Sequence, residues 1–109
     1  MELLGTVQSL FKEMKENKSV GAFLRFSSQV KSGGVLDEKT KDLILVALSV
    51  CCQCDWCIAV HVRSAVEKGA TKDEVVDAAM QAVLMGGGPK LMYMHVVNQE
   101  LKKYYFNDE

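Results

Sequence analysis

The stretch Cys54-Asp55-Trp56-Cys57-Ile58-Ala59-Val60-His61 decides how the chain is read, because its reactive residues sit at spacings that an ordinary amphipathic helix does not need. On a helix advancing about 100° per residue, Cys54 and Cys57 lie about 60° apart, Cys57 and His61 about 40°, and Cys54 and His61 about 20°. Two thiols and an imidazole therefore share one face, at the start of a helix whose N-terminus favours a thiolate. The helix dipole contributes only about 0.3–1 kcal/mol, less than the about 1.36 kcal/mol that one pKa unit requires. Activation near neutral pH needs another partner, and His61, one turn beyond Cys57, is placed to accept a thiol proton.

Working back from this motif, residues 43–50 are apolar except for Ser49. That run is far shorter than the about 20 residues that span a bilayer, so it reads as a buried helix. Asp37 is the expected N-cap of this third helix, residues 38 to about 52, and the joint at Cys52-Gln53 separates it from a fourth helix over 55–68 that ends at Gly69. Thr71-Lys72-Asp73-Glu74 has the form of a capping box, which opens a fifth helix running to about residue 85. Gly86-Gly87-Gly88 then stops it, and Pro89 suits the first turn of a sixth helix reaching about residue 105. The triplet lacks the Lys-Ser/Thr of a P-loop, follows no strand and does not match GxGxxG, so a helix-to-helix turn is expected rather than a phosphate cradle.

Towards the N-terminus, Leu3, Leu4, Val7, Leu10, Phe11 and Met14 recur at helical steps and predict a helix over 3 to about 17. Ser19 is the expected cap of a second helix carrying Val20, Phe23, Leu24, Phe26 and Val30, with its stop at Gly33-Gly34. No strand is evident. The expected fold is all-α: about six helices in one domain over 1–109, with the CxxC at the start of the fourth. The last helix carries Leu91, Met92, Tyr93, Met94, Val96, Val97, Leu101, Tyr104, Tyr105 and Phe106, more apolar width than one core requires, and this excess points to subunit contacts.

Composition narrows the function classes. The 109 residues carry 25% charged side chains and a formal net charge of −1, which provides no electrostatic footprint for nucleic acid or an anionic membrane. The N-terminus lacks a basic region feeding a hydrophobic segment, so a cytoplasmic protein is expected. All four cysteines fall between Cys51 and Cys57, a local cluster suited to redox chemistry or metal rather than to a distributed disulfide framework. A zinc reading of Cys51, Cys54, Cys57 and His61 is conceivable from spacing, but the usual second CxxC is missing. Cys51 and Cys52 are expected to be small buried hydrophobes, His95 has no partner in the pattern, and the methionines read as packing. The acids available on the preceding helix are Glu38 and Asp42, of which Asp42 lies deeper.

The run Asp37-Glu38-Lys39-Thr40-Lys41-Asp42, the motif Cys54–His61, Gly69-Ala70-Thr71, Glu74 and Gly86-Gly87-Gly88-Pro89 together resemble the carboxymuconolactone decarboxylase family, in particular its AhpD-like alkylhydroperoxidase branch. The resemblance covers about residues 36–101. That family is marked by an acid twelve residues before the first cysteine of a CxxC and a histidine four after the second, positions held here by Asp42, Cys54, Cys57 and His61. The resemblance implies an all-helical subunit, a homotrimer or homohexamer, and no cofactor. It also implies a redox site in which Cys57 meets a hydroperoxide and Cys54 resolves the product into a disulfide, with a His61/Asp42 proton relay and a dithiol or protein reductant. Two departures matter. The family's usual glutamate is Asp42, one methylene shorter, so its direct reach to His61 is lost or replaced by a water bridge. Trp56 stands where the better-known peroxidase has a histidine. Lactone decarboxylation, for which a CxxC has no evident use, and a catalytically silent oligomer are the alternative readings.

Overall fold

Residues 2–105 are described by a computed structural model of the chain. Six helices follow one another: α1 (Leu3–Glu13), α2 (Lys18–Ser32), α3 (Glu38–Cys51), α4 (Asp55–Glu67), α5 (Lys72–Gly86) and α6 (Gly88–Lys102). No strand occurs among the described residues. The all-α expectation, the helix count and the placement of the CxxC at the start of α4 agree with the sequence reading.

The boundaries have local causes. Asp37 caps α3 through a 2.7 Å bond from the Thr40 amide. At α5 the capping box closes in both directions, Glu74 N–H donating to Thr71 Oγ1 at 3.1 Å and Thr71 N–H to Glu74 Oε1 at 2.9 Å. Gly87, at φ 74°, makes the turn into α6, where Pro89 sits in the first turn. The second helix starts earlier than expected: Asn17, not Ser19, is its N-cap, because the Asn17 carboxamide oxygen reaches the amides of both Ser19 and Val20 at 3.0 Å. The first helix stops at Glu13, short of residue 17, and residues 14–16 form a turn.

The core is a four-helix arrangement. Helix α3 packs on α4 and α5, and α6 closes against the same two; α1 lies along α4 and α2 rests on α3. Val46 and Val50, Ile58 and Val62, Val75 and Ala79, and Val97 and Leu101 meet there, one pair from each helix. Neither α1 nor α2 has a buried residue. The apolar half of α3 is covered on one side only, since Ile44 and Leu48 remain exposed, as do Leu91 and Met92 on α6. Phe106, counted in the apolar width of the last helix, lies outside the described residues.

Candidate functional site

The site begins with a tight reversal between α3 and α4. Cys52 N–H bonds to Leu48 O at 2.9 Å, Gln53 N–H to Val50 O at 3.0 Å and Cys54 N–H to Ser49 O at 3.2 Å, closing the end of α3. Gln53 adopts φ 53°, a left-handed conformation unusual outside glycine. Its side-chain oxygen accepts from Lys90 Nζ at 2.8 Å, which ties the reversal to the start of α6. The chain thereby delivers Cys54 as the N-cap of α4, its Sγ accepting from the Cys57 amide at 3.2 Å.

Cys54 and Cys57 form a disulfide, with Cα atoms 5.2 Å apart. Both residues are half-buried. Directly behind them Ile58, Ala59 and Val62 are fully buried, so the first turns of α4 are held by the core while the sulfurs stay near the surface. The amide that reaches Cys54 Sγ is one of the unpaired donors of the helix N-terminus, and it offers a stabilising partner to the thiolate formed when the bond opens. Cys51 is half-buried, packed against the core, whereas Cys52 is exposed. The expectation that both are buried is met only in part by Cys51 and fails for Cys52, which is the C-cap of α3 and so turns out of the helix packing.

His61 is half-buried, and its Nδ1 is shielded from solvent without a hydrogen-bond partner. Burial holds its pKa below the ordinary 6.5, the Lys31 ammonium lowers it further, and Asp42 opposes both. Burial thus favours the neutral imidazole, the form that can accept a proton.

Asp42 is completely buried. Its Oδ2 accepts from Ser64 Oγ at 2.8 Å, its Oδ1 lies 2.9 Å from Lys31 Nζ, and the same ammonium donates to Ser64 Oγ at 2.8 Å. The three groups close a triangle between α2, α3 and α4. Among the described residues no hydrogen bond joins Asp42 to His61. The acid faces α4 as the family resemblance implies, but its Oδ2 is engaged one turn further on, at Ser64. Ser64 and His61 are three residues apart and so share one face of α4.

Lys31 and Ser64 were not legible as site residues. Ser64 could have been found from its spacing to His61, but nothing in the sequence links Lys31 to α4. Glu38, the other acid considered, is half-exposed and pairs with Lys68 at 3.4 Å, and His95 is exposed on α6. Surface depressions are lined by Thr71, Lys72, Asp73 and Tyr105, away from the disulfide. No cluster of three or more His, Cys, Asp or Glu able to hold a metal ion occurs among the described residues.

With this geometry established, comparison with known proteins gives a consistent picture. Residues 18–97 match the pattern of the carboxymuconolactone decarboxylase family. An uncharacterized protein of the Paracoccus denitrificans cox locus is 43% identical over 67 residues, 62% of this chain and 60% of that protein. An uncharacterized protein of Cupriavidus necator is 33% identical over 75 residues, 69% of this chain and 66% of that protein. The matches thus span less than two thirds of either relative's length. Among solved structures, a carboxymuconolactone decarboxylase family protein of Legionella pneumophila superposes with a TM-score of 0.82 at 34% identity, covering 94% of this chain and 93% of that one. A family member from Thermotoga maritima, described as a candidate for an antioxidative response, superposes with a TM-score of 0.84 at 25% identity, covering 94% and 89%.

Proposed function

This chain belongs to the carboxymuconolactone decarboxylase family, and from that premise we propose that it is a thiol-dependent hydroperoxide reductase working through Cys54 and Cys57. The observation that carries the reading is the Cys54–Cys57 disulfide at the N-terminus of α4, with half-buried His61 four residues beyond Cys57. An antioxidative role considered for the Thermotoga maritima relative points in the same direction.

In the proposed cycle His61 takes the Cys57 thiol proton. The Cys57 thiolate attacks the distal oxygen of the hydroperoxide, the O–O bond breaks, and the departing alkoxide takes a proton to leave as alcohol. Cys57 is then a sulfenic acid. Attack by the Cys54 sulfur on that of Cys57 forms the disulfide and releases water. Two electrons have passed from the dithiol to the peroxide, and an external dithiol, small or protein-borne, restores both thiols by exchange. The N-cap position suits Cys54 as the sulfur that accepts negative charge during exchange, because the Cys57 amide already points at it. The exposed Ile44, Leu48, Leu91 and Met92 fit a homotrimer or homohexamer, the assembly proposed for the working protein.

The test is consumption of cumene hydroperoxide by the reduced protein with dithiothreitol as regenerating dithiol. Two thiols should be lost together on oxidation, and Cys57→Ser should abolish turnover. A Cys57→Ser protein that consumed peroxide at the parent rate would sink the assignment. Metal analysis of protein purified without chelator discriminates the zinc reading, which requires about one ion per chain.

A further inference from the structure

Asp42 is a fully buried carboxylate whose immediate partners are a lysine from a peripheral helix and a serine, rather than the histidine one turn away. From this arrangement we infer that Lys31 and Ser64 are positioning residues that hold Asp42 off His61, so that the imidazole stays free to serve as the proton acceptor for the thiols. The inference rests on the redox reading of the site, and its test below is independent of turnover.

Three observations support it. First, Asp42 Oδ2 accepts a hydrogen bond from Ser64 Oγ at 2.8 Å and Oδ1 is ion-paired with Lys31 Nζ at 2.9 Å, a contact without hydrogen-bond geometry, while His61 Nδ1 is buried without a partner. A buried ring nitrogen beside a buried acid would ordinarily be paired with it, because leaving either unsatisfied is costly. Here the acid is occupied elsewhere. Second, Lys31 is itself held. Its side chain is 32% exposed, and its carbonyl accepts from Lys41 Nζ at 3.2 Å, as does Val30 O at 2.9 Å; Lys41 Nζ also donates to Gly33 O. A lysine of α3 thus caps the end of α2 and sets the point from which Lys31 reaches inward. Third, α2 contributes no buried residue to the core, so the Lys31 contact with Asp42 and Ser64 is a link between the site and an element that core packing does not fix. The charges bearing on His61 are those of Lys31 from α2 and Asp42 from α3.

A carboxylate that accepted the His61 ring proton directly would stabilise the imidazolium and raise the midpoint of the ring, leaving less of it in the neutral form that can take a proton from a thiol. With Asp42 bound by Lys31 and Ser64, the acid contributes only a through-space attraction, which the nearby ammonium counteracts. Withdrawal of Lys31 releases Oδ1 towards the histidine, so the position of α2 sets the basicity of His61.

The experiment is a pH titration of the histidine ring resonances in the full-length, dithiol-reduced protein by NMR. Lys31→Gln and Ser64→Ala should each move the His61 midpoint upward, and Lys31→Arg should restore the parent value, since its guanidinium can satisfy the same carboxylate. In an Asp42→Asn background the Lys31→Gln shift should shrink. An unchanged or lowered midpoint in both Lys31→Gln and Ser64→Ala overturns the proposal. So does an equal Lys31→Gln shift with and without the carboxylate, which would leave only a direct charge effect. Should Lys31→Gln fail to fold, Ser64→Ala, which removes a single hydroxyl, decides the matter alone. A Cys57→Ser protein that still consumes peroxide refutes the redox reading without touching this titration, and an unmoved His61 midpoint refutes the positioning role without touching turnover.

Discussion

The Lys31–Asp42 pair provides a sharp stability test because its two ends differ in access to water. Asp42 is fully buried, whereas the Lys31 side chain is 32% exposed. Removing one partner of a fully buried pair costs about 3–5 kcal/mol, most of it the penalty of stranding the other charge. In Asp42→Ala the stranded group is Lys31, which can rotate to solvent, so the loss falls below that range, at about 2–3 kcal/mol, dominated by the unmade bonds to Ser64 and Lys31. In Lys31→Met the stranded group is a carboxylate that cannot reach water, and the full range of about 3–5 kcal/mol applies. For a domain of this size each kcal/mol moves the melting temperature by about 4–8 °C, so Asp42→Ala should melt about 8–24 °C below the parent and Lys31→Met lower still. The double change Lys31→Met with Asp42→Ala strands neither charge and should cost less than the sum of the singles, with a coupling of about 1–3 kcal/mol. Urea unfolding at fixed redox state and protein concentration measures all four proteins. Additivity within about 0.5 kcal/mol, or a Lys31→Met protein more stable than Asp42→Ala, would refute the reasoning.

Three further outcomes follow from other parts of the molecule. His61 binds its proton less readily folded than unfolded, so its contribution to stability is complete above the unfolded value of about 6.5 and is lost as pH falls through it; His61→Gln should flatten the fall in unfolding free energy between about pH 7 and 5.5, and an unaltered slope contradicts the burial argument. Ile58→Ala, at a fully buried position directly behind the disulfide, should cost about 2–5 kcal/mol in urea unfolding, with a cost under about 1 kcal/mol indicating that α4 is not anchored there. Gln53→Gly should relieve a left-handed backbone conformation that costs a non-glycine residue about 1 kcal/mol. Because the lost side-chain bond to Lys90 is exposed, calorimetry should show a small rise in melting temperature, and a clear fall would mean that the tie to α6 outweighs the backbone term.

Much of the architecture was legible because its causes are local. The capping box at Thr71 and Glu74, the Asp37 cap and the glycine turn before Pro89 act within one turn of chain, and each set its boundary where the residue types indicate. Ser19 misled because Asn17, two residues earlier, offers a carboxamide that reaches two amides at once, and a longer reach is invisible to a rule that looks for the nearest hydroxyl. Cys52 misled for a related reason: an apolar neighbourhood in sequence does not say which residue falls at the helix end, where the chain turns outward.

The sequence by itself determined an all-α chain with the Cys54–Cys57 pair at the start of α4 and His61 one turn beyond Cys57 on the same helix, because caps, stops and spacing along a single helix act locally. It also marked Asp42 as an acid near that helix, through the resemblance of its position to a family pattern. What Asp42 touches was decided only by the tertiary structure, since the angle at which α3 and α2 cross α4 depends on packing between elements that no periodicity records. That packing carries the carboxylate one turn past His61 to Ser64 and brings Lys31 in from a helix with no buried residue of its own. The thiols and the histidine are thus a property of one helix, and the setting of the histidine is a property of three.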